Sequence, residues 1–172
     1  MIGTFIERLA VLTALIGGAV LAALIAMTCI SIAGRASGPF VGTGPVPGDF
    51  ELIELGTAFV VFAFLPLAHL RGAHAVVDLA TSHLPDRLRT GLAAFWDAAL
   101  TLALALILWR LVLGLEERLD YNDQSYMLRI PLWWAYAACV PPAAIAVLTG
   151  ALVTWRGLRG TRRTSDAPEA GT

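Results

Sequence analysis

The sequence has little charge and no lysine. Of its 172 residues, 15% are charged and 58% are hydrophobic, and all 12 basic residues are arginine. With a formal net charge of -1, the chain lacks the basic face that a nucleic-acid-binding protein uses to displace counterions. We therefore expect no nucleic-acid partner. Its mean hydropathy of +0.73 is typical of an integral membrane protein.

Residue patterns that carry catalysis are also missing. The chain has no phosphate-binding loop, no nucleophile elbow and no H-E-x-x-H sequence. Its two cysteines, Cys29 and Cys139, lie far apart in apolar runs and predict small buried side chains, with no disulfide framework and no metal site. We therefore expect neither an enzyme nor a bound cofactor or metal.

Four apolar runs predict four transmembrane helices, at about 9–33, 51–70, 91–115 and 131–155. Each is close to the ~20 residues that a helix needs to cross the hydrocarbon core. The first run is longer than the apolar part of a signal peptide, which indicates a retained anchor. The fold class is thus an all-α integral membrane protein, with one domain over residues 1–160 and a disordered tail at 161–172.

The placement of arginine predicts how the chain is oriented. Eight arginines lie at the two termini or between spans two and three: Arg8, Arg71, Arg87, Arg89, Arg156, Arg159, Arg162 and Arg163. Acidic residues gather on the opposite side. By the positive-inside rule, both termini are cytoplasmic. The first connection, from Gly34 to Asp49, contains five glycines and three prolines and predicts an exterior loop.

Three acids stand where span two begins. Asp49 is the expected N-cap, and Glu51 and Glu54 are three residues apart, which predicts that they share one helix face. One interpretation makes the two glutamates a contact for a partner subunit or a cation. The other is that carboxylates near a helix N-terminus complement the helix dipole.

The connection after span two predicts a short amphipathic helix in the membrane interface, at about 75–84. It follows Arg71, and its His74 and Asp78 are four residues apart, so they are spaced to pair. A proton-relay role is one interpretation of this pair. A local hydrogen bond that fixes the turn is the favoured one.

Spans three and four each contain one unusual feature. Asp97 lies inside span three, where a carboxylate must face protein or water; an interhelical hydrogen bond is favoured over an ion-coupling site. Pro141 and Pro142 lie near the middle of span four and predict a kink or local unwinding. Because no charged residue lies between Trp134 and Trp155, a packing kink is favoured over a transport site.

Three segments resemble the small membrane subunit of tripartite ATP-independent periplasmic (TRAP) transporters. They are Pro47-Gly-Asp-Phe-Glu-Leu-Ile-Glu, the segment carried by Gly72, His74, Val77 and Asp78, and Ile130-Pro-Leu-Trp. The resemblance extends from about residue 5 to 160. It implies a bacterial inner-membrane protein that binds a large permease subunit of roughly twelve spans, in which the substrate and coupling sodium ions bind.

The resemblance also implies a periplasmic binding protein that delivers an organic acid, with this chain as a static scaffold. The candidate subunit-interface or structural positions are then Asp49, Glu51, Glu54, Arg71, His74, Asp78 and Asp97. Three alternatives remain open at this point. They are the small subunit of a tripartite tricarboxylate transporter, a self-sufficient homodimeric exporter, and a membrane enzyme or assembly factor that uses His74 and Asp78.

Overall fold

The computed structural model describes residues 2–42, 44–71 and 86–158. These residues form four helices, α1 (Ile2–Val41), α2 (Asp49–Leu70), α3 (Asp86–Tyr121) and α4 (Trp133–Leu158). Within the described ranges there is no β-strand, and the all-α fold class is confirmed. The interfacial helix predicted at 75–84, with His74 and Asp78, and the tail predicted at 161–172 lie outside the described residues.

Each helix is long and apolar enough to cross a membrane. The candidate spans are Gly3–Gly38, Asp49–Leu70, Phe95–Tyr121 and Trp133–Trp155. The prediction of four helices long and apolar enough to span a membrane is therefore confirmed, and α1 and α3 extend beyond the apolar runs. In a membrane the apolar run sets the span, whereas the helix itself continues as long as its backbone hydrogen bonds are favourable.

The prediction of a loop from Gly34 to Asp49 is wrong for its first half. Helix α1 continues through Gly34 to Val41, and the extended connection begins at Gly42, where φ is +73°. Gly34 allows the returning chain to approach closely, because a Cβ at this position would lie 2.5 Å from the Gly44 carbonyl oxygen. Glycine content predicts a loop, but here it serves a close contact against the helix.

Helices that are neighbours in the bundle are not always neighbours along the chain. Helix α2 packs against α1 and α4, and α3 packs against α4. Helix α1 makes a smaller contact with α4. Glycines bring neighbouring helices close together: Cβ atoms at Gly17 and Gly150 would each lie 2.7 Å from their neighbours, Ala63 Cβ and Thr101 Oγ1. Small residues at helix contacts are the usual basis of helix association in membranes.

Two expectations about single residues need correction. Helix α4 continues through Pro141 and Pro142, so the chain does not unwind there, and the favoured packing kink stays a prediction. Neighbouring helices pack on α4, and such packing lets a membrane helix accommodate proline. Cys139 is buried as expected, but Cys29 is exposed on the surface of α1. An apolar run predicts burial in membrane or protein and does not distinguish between them.

Candidate functional site

The polar side chains that contact another segment gather mainly at one end of the bundle, where α1 ends, α2 begins and the α3–α4 loop turns. We call this region the loop end; it comprises Ser31, Arg35, Gly48, Asp49, Glu51 and residues 122–132. Two carboxylates organise it. Each accepts hydrogen bonds from a different segment of the chain.

Asp49 joins the start of α2 to α1. The Ser31 hydroxyl donates to Asp49 Oδ2 at 2.5 Å, and Arg35 Nη2 donates to the same oxygen at 3.4 Å. The Val46 N–H donates to Ser31 Oγ at 3.3 Å, so the connection before α2 joins the same network. Ser31 is 1% exposed and Asp49 8%. A buried carboxylate with these donors fixes two helices and a loop relative to one another.

The predicted N-cap of α2 is displaced by one residue. Gly48 occupies the cap position, with φ +75°, and Asp49 is the first helical residue. A Cβ on Gly48 would clash with the side chain of Leu128. Two features therefore favour glycine at position 48. The left-handed backbone and the close approach of the α3–α4 loop each disfavour a side chain.

Glu51 holds the α3–α4 loop. Ser125 Oγ donates to Glu51 Oε2 at 2.6 Å, the Met127 N–H donates to Oε1 at 2.7 Å, and the Leu128 N–H donates to Oε2 at 3.0 Å. Both carboxylate oxygens are thus used on one loop. Glu54 is exposed to the surroundings of the bundle. The two glutamates that the sequence placed together consequently have different environments.

The loop that Glu51 holds has a defined shape. The Ser125 N–H donates to the Ile130 carbonyl at 2.9 Å, and the Leu132 N–H donates to the Asp123 carbonyl at the same distance. Asp123 also pairs with Arg118 at the end of α3. At the tip of the loop, Tyr126 is fully exposed, with a relative accessibility of 101%. The loop end therefore presents an aromatic side chain on an ordered backbone.

The remaining predicted site residues lie elsewhere. Arg71 forms the C-cap of α2, where its N–H donates to the Leu67 carbonyl at 3.1 Å. On α3, the Thr101 hydroxyl donates to the backbone carbonyl of Asp97 at 2.7 Å and lies 3.2 Å from Thr154 Oγ1 on α4. This threonine pair is a polar contact between the two helices. The interhelical bond expected for the Asp97 carboxylate stays a prediction.

Sequence reasoning missed Ser31 and Ser125, the two hydroxyl donors of the loop end. Ser31 had a detectable signal, because it is a hydroxyl in the last turns of an apolar run. Ser125 had none, because a serine in a polar loop is ordinary. Among the described residues, no group of three His, Cys, Asp or Glu side chains is arranged to hold a metal ion.

Four membrane-length helices, tied together at one end by carboxylates, define the chain as a multi-pass membrane protein. A family model described as "Tripartite ATP-independent periplasmic transporters, DctQ component" matches residues 24–160. The chain therefore belongs to the DctQ family and is a small permease subunit of a TRAP transporter. The comparison with curated proteins gave no match.

The family assignment confirms the resemblance found in the sequence. It favours the TRAP interpretation over the tricarboxylate transporter and the self-sufficient exporter, because the matched region covers most of the chain. The DctQ family is a family of transporter components and not of enzymes.

Proposed function

We propose that this chain is the static scaffold of its TRAP transporter. It holds the large permease subunit in place during ion-gradient-driven, binding-protein-dependent uptake of an organic acid. In this proposal the large subunit contains the sites for the substrate and the coupling sodium ions. The binding protein delivers the acid on the periplasmic side of the bacterial inner membrane, and both termini of this chain are cytoplasmic.

The observation that carries the scaffold role is the position of the polar contacts. Asp49 and Glu51 are occupied by fixed internal hydrogen bonds to Ser31, Ser125, Met127 and Leu128 at the loop end. Helix α4, which contacts the other three helices, carries no charged residue between Trp134 and Trp155. A moving anion site needs polar groups inside the membrane, whereas a scaffold needs apolar faces and rigid helix ends.

The exposed apolar surface of α3 is compatible with a role that requires a partner. In the most apolar stretch of α3, only 6% of the residues are buried within the chain, compared with 33% in the corresponding stretch of α4. Large side chains such as Leu102, Leu106 and Trp109 are more than half exposed on α3. Such a surface fits both lipid and another membrane subunit.

The test is co-expression of the tagged chain with the large permease subunit of its transporter, followed by purification in a mild detergent. We expect the two to co-purify at a fixed ratio, and we expect substrate uptake in cells only when both are present with the binding protein. Uptake by the large subunit and binding protein without this chain would contradict the scaffold role. Failure of the two membrane proteins to co-purify would contradict it equally.

The predicted interfacial helix belongs to the same proposal. His74→Ala or Asp78→Ala is expected to reduce assembly with the large subunit without a selective change in substrate affinity. A change confined to substrate affinity would assign the pair to transport itself.

A further inference from the structure

Arg110 lies on α3 inside the membrane-spanning region. The residue four positions further on, Gly114, packs against Tyr136, which is two residues past Trp134 on the antiparallel helix α4. At ~1.5 Å per residue, these steps place Arg110 about 9 Å deeper than Trp134. No other charged residue lies between Asp97 and Glu116 on α3, so Arg110 stands within the apolar part of the span.

This arginine is exposed on the surface of the chain. In the part of the chain that the structure describes, no ion pair or hydrogen bond joins its guanidinium to another residue. An arginine that faces hydrocarbon is costly, and such residues normally face protein or water. The charge therefore calls for an anionic partner outside this chain.

Arg110 stands in a continuous exposed stripe of α3. The stripe comprises the exposed residues Ala103, Leu106, Ile107, Arg110, Leu113 and Glu117, which lie on one helix face. The stripe includes part of a shallow, open depression, lined by Leu106, Ile107, Arg110, Leu111 and Tyr136. This surface combines an apolar depression with a single positive charge.

The direction of α3 favours a protein partner over a lipid headgroup. Side chains on a helix lean toward its N-terminus. Arg110 is in the C-terminal half of α3, so this lean directs its side chain toward the middle of the membrane and away from the nearer layer of headgroups. A symmetric contact with a second copy of this chain through the stripe would bring two Arg110 side chains together, which like charge disfavours.

We propose that the Arg110 stripe is the surface on which a helix of the large permease subunit docks, and that a carboxylate of that helix pairs with Arg110. The inference rests on the proposed function and adds to it the face of the scaffold and the chemistry of the contact. The partner carboxylate lies at the depth of Arg110, and an apolar side chain next to it occupies the depression.

The experiment is co-purification of the large subunit with tagged variants of the full-length chain. Arg110→Leu and Arg110→Glu are expected to reduce the recovered large subunit by at least about tenfold, equal to about 1.4 kcal/mol. Arg110→Lys, which keeps the charge, is expected to retain assembly. The matched control is Arg8→Leu, the same change at an exposed arginine in the N-terminal part of α1, and it should leave assembly unchanged.

Two further measurements distinguish the loss of a contact with the large subunit from a loss of stability of this chain. Purified alone, Arg110→Leu should be at least as thermally stable as the wild type, because the change removes a charge that faces hydrocarbon. An Asp or Glu→Arg change in a membrane helix of the large subunit should restore assembly with Arg110→Glu. Recovery by such a charge exchange identifies the partner residue.

Several outcomes would overturn the inference. If Arg110→Leu and Arg110→Glu co-purify with the large subunit as the wild type does, the assignment of the stripe as the docking surface is wrong and the scaffold proposal stands. Loss of stability in isolated Arg110→Leu would make the residue structural. A changed oligomeric state of the isolated variant would assign the stripe to a second copy. Loss of bound anionic lipid with unchanged assembly would assign it to a headgroup. Failure of the wild type to co-purify would remove the scaffold proposal and the inference together.

Discussion

Asp49 and Glu51 are two residues apart, yet they stabilise different parts of the molecule. On a helix of 3.6 residues per turn, this spacing separates them by about 200°. Asp49 consequently faces Ser31 on α1, and Glu51 faces Ser125 and Leu128 in the α3–α4 loop. A carboxylate has several acceptor sites, so each acid accepts hydrogen bonds from donors on another segment of the chain.

Glu51→Gln is expected to loosen the α3–α4 loop, because an amide cannot accept hydrogen bonds at both of its terminal atoms. The amides of Met127 and Leu128, which donate to the two carboxylate oxygens, should exchange with deuterium faster in detergent. The matched control is Glu54→Gln on the same helix, where the side chain is exposed. Equal exchange rates at the loop amides in both variants would contradict the role assigned to Glu51.

Close contacts between the helices depend on particular glycines. Gly17 and Gly18 are neighbours on α1, but only the first faces another helix: a Cβ on Gly17 would lie 2.7 Å from Ala63 Cβ, and a Cβ on Gly18 would meet nothing within 4 Å. Gly150 has the same function between α4 and α3, at Thr101. The spacing of the bundle is therefore set by single positions and not by the general content of small residues.

Gly17→Ala is expected to destabilise the protein by about 1–3 kcal/mol, because the added methyl group pushes α1 away from α2. Gly18→Ala should be neutral or stabilise by up to ~1 kcal/mol, since alanine is the better helix former and the space is open. Thermal unfolding of the two variants in the same detergent compares them directly. A Gly17→Ala variant as stable as Gly18→Ala would show that the α1–α2 contact is not as close as described.

At the scale of the whole molecule, the bundle has an inner group of helices and a peripheral one. Helices α1, α2 and α4 contact one another, whereas α3 packs chiefly against α4. The side of α3 away from α4 is consequently exposed, and Arg110 lies there. This face of α3 is open to lipid or to another subunit, and the family of the chain is one of transporter components.

The orientation of the whole molecule can be tested with two exposed positions at opposite ends of the bundle. Tyr126 lies in the α3–α4 loop and Arg71 at the end of α2, and both are exposed. In intact bacterial cells, a membrane-impermeant thiol reagent is expected to label Tyr126→Cys in a chain whose native Cys29 and Cys139 are replaced by alanine. Arg71→Cys should be labelled only after the membrane is permeabilised. The reverse pattern would place the termini outside and would contradict the positive-inside prediction.

The membrane class, the four spans and the family were determined by the sequence alone. Span length and hydropathy are sums over consecutive residues, so they require no knowledge of packing. The family resemblance depended on short motifs such as Pro47-Gly-Asp-Phe-Glu-Leu-Ile-Glu, which the sequence displays directly. The same local reasoning failed at Gly34, because a glycine that permits close packing and a glycine in a loop have the same appearance in a sequence.

Only the tertiary structure decided which polar and charged residues have partners. Ser31 and Asp49 are 18 residues apart and Glu51 and Ser125 are 74 apart, so their hydrogen bonds exist only because the helix ends converge. For the same reason, only the tertiary structure shows that Glu51 makes an internal contact whereas the side chain of Glu54 is exposed. The sequence showed a charge at Arg110, but whether a helix face is covered depends on which helices pack against it, and that arrangement arises from long-range contacts.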